Sequence, residues 1–155
     1  MNSVEVITED HLNLLNLQPE RLMNPENFPA GWQFLLAPGI TAELFLSSSV
    51  RNNQLQIVTT MECQTHTELD QLMATVAPFV TPCVLANIQS QVSVRLSIVT
   101  SEKNIPQLLS SGIIIIRRLT AIAFTAVVDL TERKENIITV IEKTLSLLQP
   151  EQIKA

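Results

Sequence analysis

The stretch Ser110–Leu130, SSGIIIIRRLTAIAFTAVVDL, is the largest apolar block of the chain, and Arg117 and Arg118 sit side by side inside it. Three readings compete for it: a membrane span, a pair of buried strands, or a scaffold that carries two cations to a ligand. A span needs about 20 mostly apolar residues without central charge. Here 16 residues separate Gly112 from Asp129 and the two arginines divide them, a costly arrangement in lipid. Ile113 to Ile116 are β-branched, which favours extended backbone. GIIIIRRLT and AIAFTAVVDL are each of strand length, so the expectation is a hairpin or one long bent strand over residues 113–128.

A regular strand sends neighbouring side chains to opposite faces, so at most one of Arg117 and Arg118 faces a core. The expected role of both is surface pairing with acids such as Glu43 or Glu62, a weak structural role. The alternative is a guanidinium that grips an anionic ligand or a partner carboxylate through two parallel hydrogen bonds.

Working outward, VSVRLSIVT over 92–100 is the clearest strand, with Val92, Val94, Leu96 and Ile98 on one face and Ser93, Arg95 and Ser97 on the other. One buried and one wet face produce that alternation. ITAELFLSSSV sets Ala42, Leu44 and Leu46 against Glu43 and Phe45, and QLQIVTTME sets Leu55 and Ile57 against Gln54 and Gln56. With the polar Arg51-Asn52-Asn53 between them they read as a hairpin. WQFLLAP precedes them as a strand closed by Pro38-Gly39.

Thr65 and Glu68 have the spacing of a capping box, and Leu69, Leu72, Met73 and Val76 form one helical stripe. Pro78 and Pro82 end that helix. SEKNIPQLLSSG reads as a polar loop. A last helix, with Thr131 as its cap, shows Ile137 or Ile138, Ile141, Leu145 and Leu148 on one face and stops at Pro150. Near the N-terminus Val4 and Ile7 suit a sheet edge, and Thr8 suits the cap of a short helix carrying Leu12, Leu14 and Leu15. Pro19, Pro25, Pro29 and Gly31 then enforce an arm or turn. No repeat or linker is visible. The expected organisation is an N-terminal arm, 1–27, and a single α+β domain, 28–155, with an antiparallel sheet of six or seven strands flanked by two main helices.

At 155 residues the chain is long enough for one real core, and 46% hydrophobic against 16% charged residues excludes disorder. So low a charge leaves apolar surface for a partner. The net charge of -5 and the absence of basic runs exclude a general nucleic-acid binder. MNSVEVITEDHLNLL has neither the basic start nor the apolar block of a secretory signal, which points to the cytoplasm unless a leader has been removed. Cys63 and Cys83 are expected as small core residues, with a bridge between them as the alternative.

The inventory of chemistry is thin. Cys63 and His66 offer a thiol and an imidazole three residues apart at a helix start, but the bland reading is a loop entering the helix. His11, His66, Cys63 and Cys83 lack paired metal-ligand spacings, so no metal or other cofactor is expected. Three glycines, Gly31, Gly39 and Gly112, cannot build a phosphate loop. One tryptophan and no tyrosine leave no stacking platform for single strands. Trp32 is expected to close the core where the first strand begins.

The order of elements, opened by FPAGW (Pro29, Gly31, Trp32) and closed by the helix IEKTLSLL, resembles the PsbP-like superfamily over roughly residues 26–149. That group includes a photosystem extrinsic subunit, a nuclear-import release factor, actinobacterial lipoproteins and DcrB-like secretion chaperones. The resemblance implies binding rather than catalysis, and this chain lacks both the lipid-anchor cysteine and the targeting segment of some members. The expected function is therefore a non-enzymatic protein-binding module, an adaptor or secretion-related chaperone, working through an apolar sheet face or edge on a protein partner or a second copy. The first alternative is a small apolar ligand or lipid site lined by Trp32, Phe34 and Met73, and the second a Cys63/His66 enzyme. The residues assigned to partner or ligand binding are Trp32, Arg95, Arg117 and Arg118, with no catalytic or metal-binding residue.

Overall fold

The computed structural model describes residues 2–23 and 28–149. Pro25 of the expected N-terminal turn and Pro150 at the end of the last helix lie outside them. The fold is α+β: α1 (Ser3–Leu14), β1 (Glu20–Arg21), β2 (Ala30–Ala37), β3 (Ile40–Ser48), β4 (Asn53–Glu62), α2 (Leu69–Val76), β5 (Val84–Ile88), β6 (Gln91–Thr100), α3 (Ile105–Thr131) and α4 (Ile137–Leu148). The six strands form one open antiparallel sheet in the order β1-β2-β3-β4-β6-β5. The chain divides into two compact units, Met1–Thr59 with Arg95–Arg117, and Thr60–Val94 with Arg118–Ala155.

The stretch that opened the reading is not a strand pair. Residues 105–131 form one helix of 27 residues, roughly 40 Å long. Its buried positions include Ile105, Leu109, Ile113, Ile116, Thr120, Ala123, Val127 and Leu130, separated by three or four residues throughout. Ser111, Ile114, Arg117, Arg118, Ala121 and Thr125 fall on the exposed side. The helical period outweighs β-branching because the magnitudes are unequal. Isoleucine in a helix costs under about 0.7 kcal/mol relative to alanine, whereas full burial of its side chain returns about 1.5–3 kcal/mol. The supposed polar loop 101–112 is a 3-10 turn, Glu102–Asn104, followed by the first turns of α3. Pro106 sits there without penalty, since the first turn has no intrahelical partner for its missing amide proton.

In the first unit, alternation delivers what it promised. Trp32, Phe34 and Leu36 of β2, Ala42, Leu44 and Leu46 of β3, and Leu55 and Ile57 of β4 are all buried. The β2–β3 turn is Pro38-Gly39, with Ala37 opposite Ile40 and Gly39 at φ +77°, a conformation that favours glycine. In the β3–β4 turn the Ser49 amide and hydroxyl both donate to the Asn52 carbonyl, at 2.8 and 3.0 Å.

The N-terminal segment holds α1, so Val4 and Ile7 are helical and edge no sheet. Its cap is Asn2, not Thr8. The Glu5 amide donates to Asn2 Oδ1 (2.9 Å) and the Asn2 amide to Glu5 Oε2 (3.0 Å), a reciprocal capping box. Thr8 lies inside the helix and donates to the Val4 carbonyl.

In the second unit the α2 stripe is as expected, with Leu69, Leu72, Met73 and Val76 all buried. The Thr65–Glu68 capping box is absent. Glu68 occupies the cap position without a side-chain cap bond, and its amide donates to His66 Nδ1 at 3.0 Å. α4 is capped by Asn136, whose Oδ1 accepts from the Ile138 amide (2.8 Å), and not by Thr131, which ends α3. Ile137, Val140 and Thr144 are its buried residues. Ile141, Leu145 and Leu148 are only half-buried, and Ile138 is exposed. Buried Asp129 accepts from Lys143 at 2.8 Å, and Lys143 also reaches Glu135 at 3.0 Å, which ties α4 to the end of α3.

Ala121 is exposed in the middle of α3. Proline there removes a helical hydrogen bond and clashes with the preceding turn. Ala121→Pro is expected to cost about 3 kcal/mol or more in chemical denaturation. A loss below about 1 kcal/mol would contradict a continuous helix.

Candidate functional site

Trp32 is fully buried. Its Nε1 donates to Glu9 Oε1 of α1 at 2.9 Å. The Arg21 guanidinium lies over its ring, 5.1 Å from the centroid, and Arg21 also pairs with Glu5 Oε1 at 3.1 Å. The indole therefore joins β2, β1 and α1, and its one polar atom is satisfied, as a buried N–H requires. Nearby, Phe28 stacks on Phe45 with ring centroids 4.9 Å apart.

The three arginines go to separate places. Arg95 is exposed on β6. Arg117 and Arg118 are neighbours on α3 and both exposed, so the opposite-face arrangement of a strand does not apply. Arg117 Nε donates to the Leu36 carbonyl at 2.9 Å. Arg118 Nη2 donates to the Leu147 carbonyl of α4 at 2.8 Å. These carbonyl partners replace the expected Glu43 and Glu62, and among the described residues no ion pair involves either acid. Leu36 is the penultimate residue of β2, and Leu147 lies in the last turn of α4, where carbonyls lack intrahelical donors. Both arginines thus hold α3 to a neighbour through backbone.

Cys63 and Cys83 are free thiols and form no bridge. Burial raises both thiols, Cys83 to about 11. The Nδ1 of His66 is occupied by the Glu68 amide. Among the described residues no group of three His, Cys, Asp or Glu side chains is arranged to hold a metal. No helix there is long and apolar enough to cross a membrane.

Two clefts lie in the first unit. One, of about 260 Å³, is bounded by Ser47, Ser48, Asn53, Gln54 and Val99 among others. The second, of about 240 Å³, lies beside Gln18, Glu20, Gln33, Phe34 and Leu35. Serine, asparagine and glutamine line most of the first, whereas the second mixes Gln18, Glu20, Gln33 and Thr41 with Leu17, Phe34 and Leu35.

The feature that the reading of the sequence passed over is β5. It is an edge strand, and its Val84 and Ile88 are 62% and 70% exposed. Leu85, Ala86 and Asn87 are half-buried. Asn87 Nδ2 donates to Asp70 Oδ1 of α2 at 2.7 Å, which fixes the strand to that helix. A signal for it exists: from Gln71 to Val94 there is no Lys, Arg, Asp or Glu. The strand went unnoticed because its turn into β6 uses Gln89 at φ +57°, where glycine or asparagine is the usual marker. The opposite edge, β1, is two residues long and consists of Glu20 and Arg21, so it is short and charged in the way edges are commonly protected.

No protein-family model matches this chain, and no curated protein is similar to it.

Trp32→Ala is expected to cost about 3–5 kcal/mol of folding stability, in line with other buried aromatics, measured by denaturant titration. Unchanged stability would contradict the pinning role. Both thiols, raised by burial, are expected to stay protonated at pH 7 and to react with a thiol probe far more slowly in the folded than in the unfolded protein. Rapid labelling of Cys63 at neutral pH would contradict this.

Proposed function

We propose that this chain is a non-enzymatic protein-binding module, an adaptor or secretion-related chaperone, that accepts an extended protein segment along the free edge of β5. The observation that carries the reading is that edge itself: β5 is last in the strand order, Val84 and Ile88 are exposed, and no charged residue lies between positions 71 and 94. Strand addition draws affinity from main-chain hydrogen bonds and specificity from alternate side chains, and β5 offers both. Trp32 and Met73, expected to line an apolar ligand site, line neither of these clefts, which favours a protein segment over a small apolar ligand. Raised thiols and an occupied His66 Nδ1 favour binding over Cys/His catalysis.

The PsbP-like resemblance agrees with a binding role. It rests on an order of elements whose strand pair is a helix here, so β5 carries the argument. Of the four residues assigned to binding, exposed Arg95 is the one best suited to meet a partner carboxylate. Trp32, Arg117 and Arg118 serve the fold. Two free cysteines suit a reducing compartment such as the cytoplasm.

The test compares partners retained from native lysate by the wild-type chain, by Val84→Lys with Ile88→Lys, and by Ile138→Lys, an exposed apolar position on α4. A partner kept by the wild type and Ile138→Lys but lost from the β5 variant is expected. Equal retention by all three would remove the reading.

A further inference from the structure

We propose that α1 is an acid-released strap: proton uptake at the groups that hold it frees the helix from Trp32 while the strands of the first unit stay folded.

Among the described residues, each side-chain bond from α1 to another element has an ionisable partner. Ser3 bonds Glu102, Glu5 pairs with Arg21 at 3.1 Å, Glu9 Oε1 accepts from Trp32 Nε1 at 2.9 Å, and His11 Nε2 meets Ser110 Oγ at 2.6 Å. Apolar anchoring is slight by comparison. The buried residues of the helix are Glu5, Thr8 and Leu12, with Val4 and Ile7 half-buried. The rest of the first unit is held otherwise: among its described residues Glu5 is the one buried ionisable side chain, and β2, β3, β4 and the start of α3 bury none. Protons therefore act on the strap and not on the core beneath it.

The charged groups that face α1 are Arg21 from β1 and Glu102 from the turn ahead of α3. β2 meets the helix with the Trp32 indole and α3 with the Ser110 hydroxyl. A proton on Glu5 cancels the charge that Arg21 is paired with, and one on Glu9 weakens an acceptor whose charge strengthens the indole bond. Burial lowers His11 from its ordinary value of 6.5, and no carboxylate lies within ion-pair distance of it among the described residues. Released α1 thus takes up that proton more readily than docked α1, so docking weakens as the pH falls below the ordinary imidazole value. Trp32 is fully buried and is the single tryptophan, so its emission reports release directly.

The test follows tryptophan emission and amide exchange from about pH 7.5 to about pH 4, the span over which imidazoles and carboxylates titrate. Exchange rates are corrected for their intrinsic dependence on pH. A red shift of the emission and a loss of protection over residues 3–14 are expected at a pH where β3 and β4 remain protected. Glu9→Gln with His11→Gln leaves an amide at both places and takes up neither proton, so its red shift is expected at lower pH than that of the wild type. Should the double variant fail to fold at neutral pH, the order of loss in the wild type decides the matter. A single transition in which residues 3–14 and the strands lose protection together, a double variant that titrates as the wild type does, or the absence of any red shift over this span would each overturn the proposal.

Discussion

The first unit depends on α3 lying close against the strands, and at Gly112 even an added methyl would require Ile98 to shift. A Cβ built at Gly112 would stand 2.7 Å from Ile98 Cδ1, 3.3 Å from Leu96 Cδ2 and 3.7 Å from Ile57 Cδ1. Bare backbone therefore meets the buried faces of β4 and β6, and the flanking Leu109, Ile113 and Ile116 reach full or nearly full burial. Glycine in a helix interior costs roughly 1 kcal/mol against alanine. That cost is small beside the burial of three large aliphatic side chains, about 1.5–3 kcal/mol each.

Polar groups then fix what apolar burial leaves adjustable. His11 Nε2 and Ser110 Oγ meet at 2.6 Å, joining α1 to α3, and Ser3 bonds Glu102 just ahead of that helix. Trp32 and Glu9 join β2 to α1, while Arg21 links α1 and the indole. In the second unit Asp129, with almost no side-chain exposure, is matched by Lys143 and, at 3.6 Å, by Arg133. A buried carboxylate without such partners would be expensive. These are bonds of position: each selects one arrangement of helices whose apolar faces alone would permit several.

The two ends of the sheet are treated differently. β1 is minimal, charged and tied to Trp32, so it offers little to another chain. β5 is longer, uncharged and anchored on its α2 side through Asn87 and Asp70. Asn87 Oδ1 is buried with no hydrogen-bond partner among the described residues. An exposed apolar edge of this kind normally invites pairing, and the contrast between the two edges is the basis of the functional reading.

The strands and the α2 stripe were legible in the residues themselves. Alternation at Ala42–Leu46, Leu55–Ile57 and Val92–Leu96 is a local property, because a pleated strand with one buried face shows a period of two whatever its surroundings. The α+β class followed from those segments. The nature of 113–128 was not settled locally, since four consecutive isoleucines mask the period and their branching favours the wrong state. Helix caps at Asn2 and Asn136 were hidden by neighbouring residues that offered equally plausible signals, and the turn on Gln89 by its lack of the usual glycine or asparagine. Only tertiary structure decided that α3 is a helix, that Arg117 and Arg118 bond to carbonyls, and that β5 is an edge. Each of these depends on which distant surface covers a segment, and burial against a distant surface outweighs propensities of a few tenths of a kcal/mol per residue.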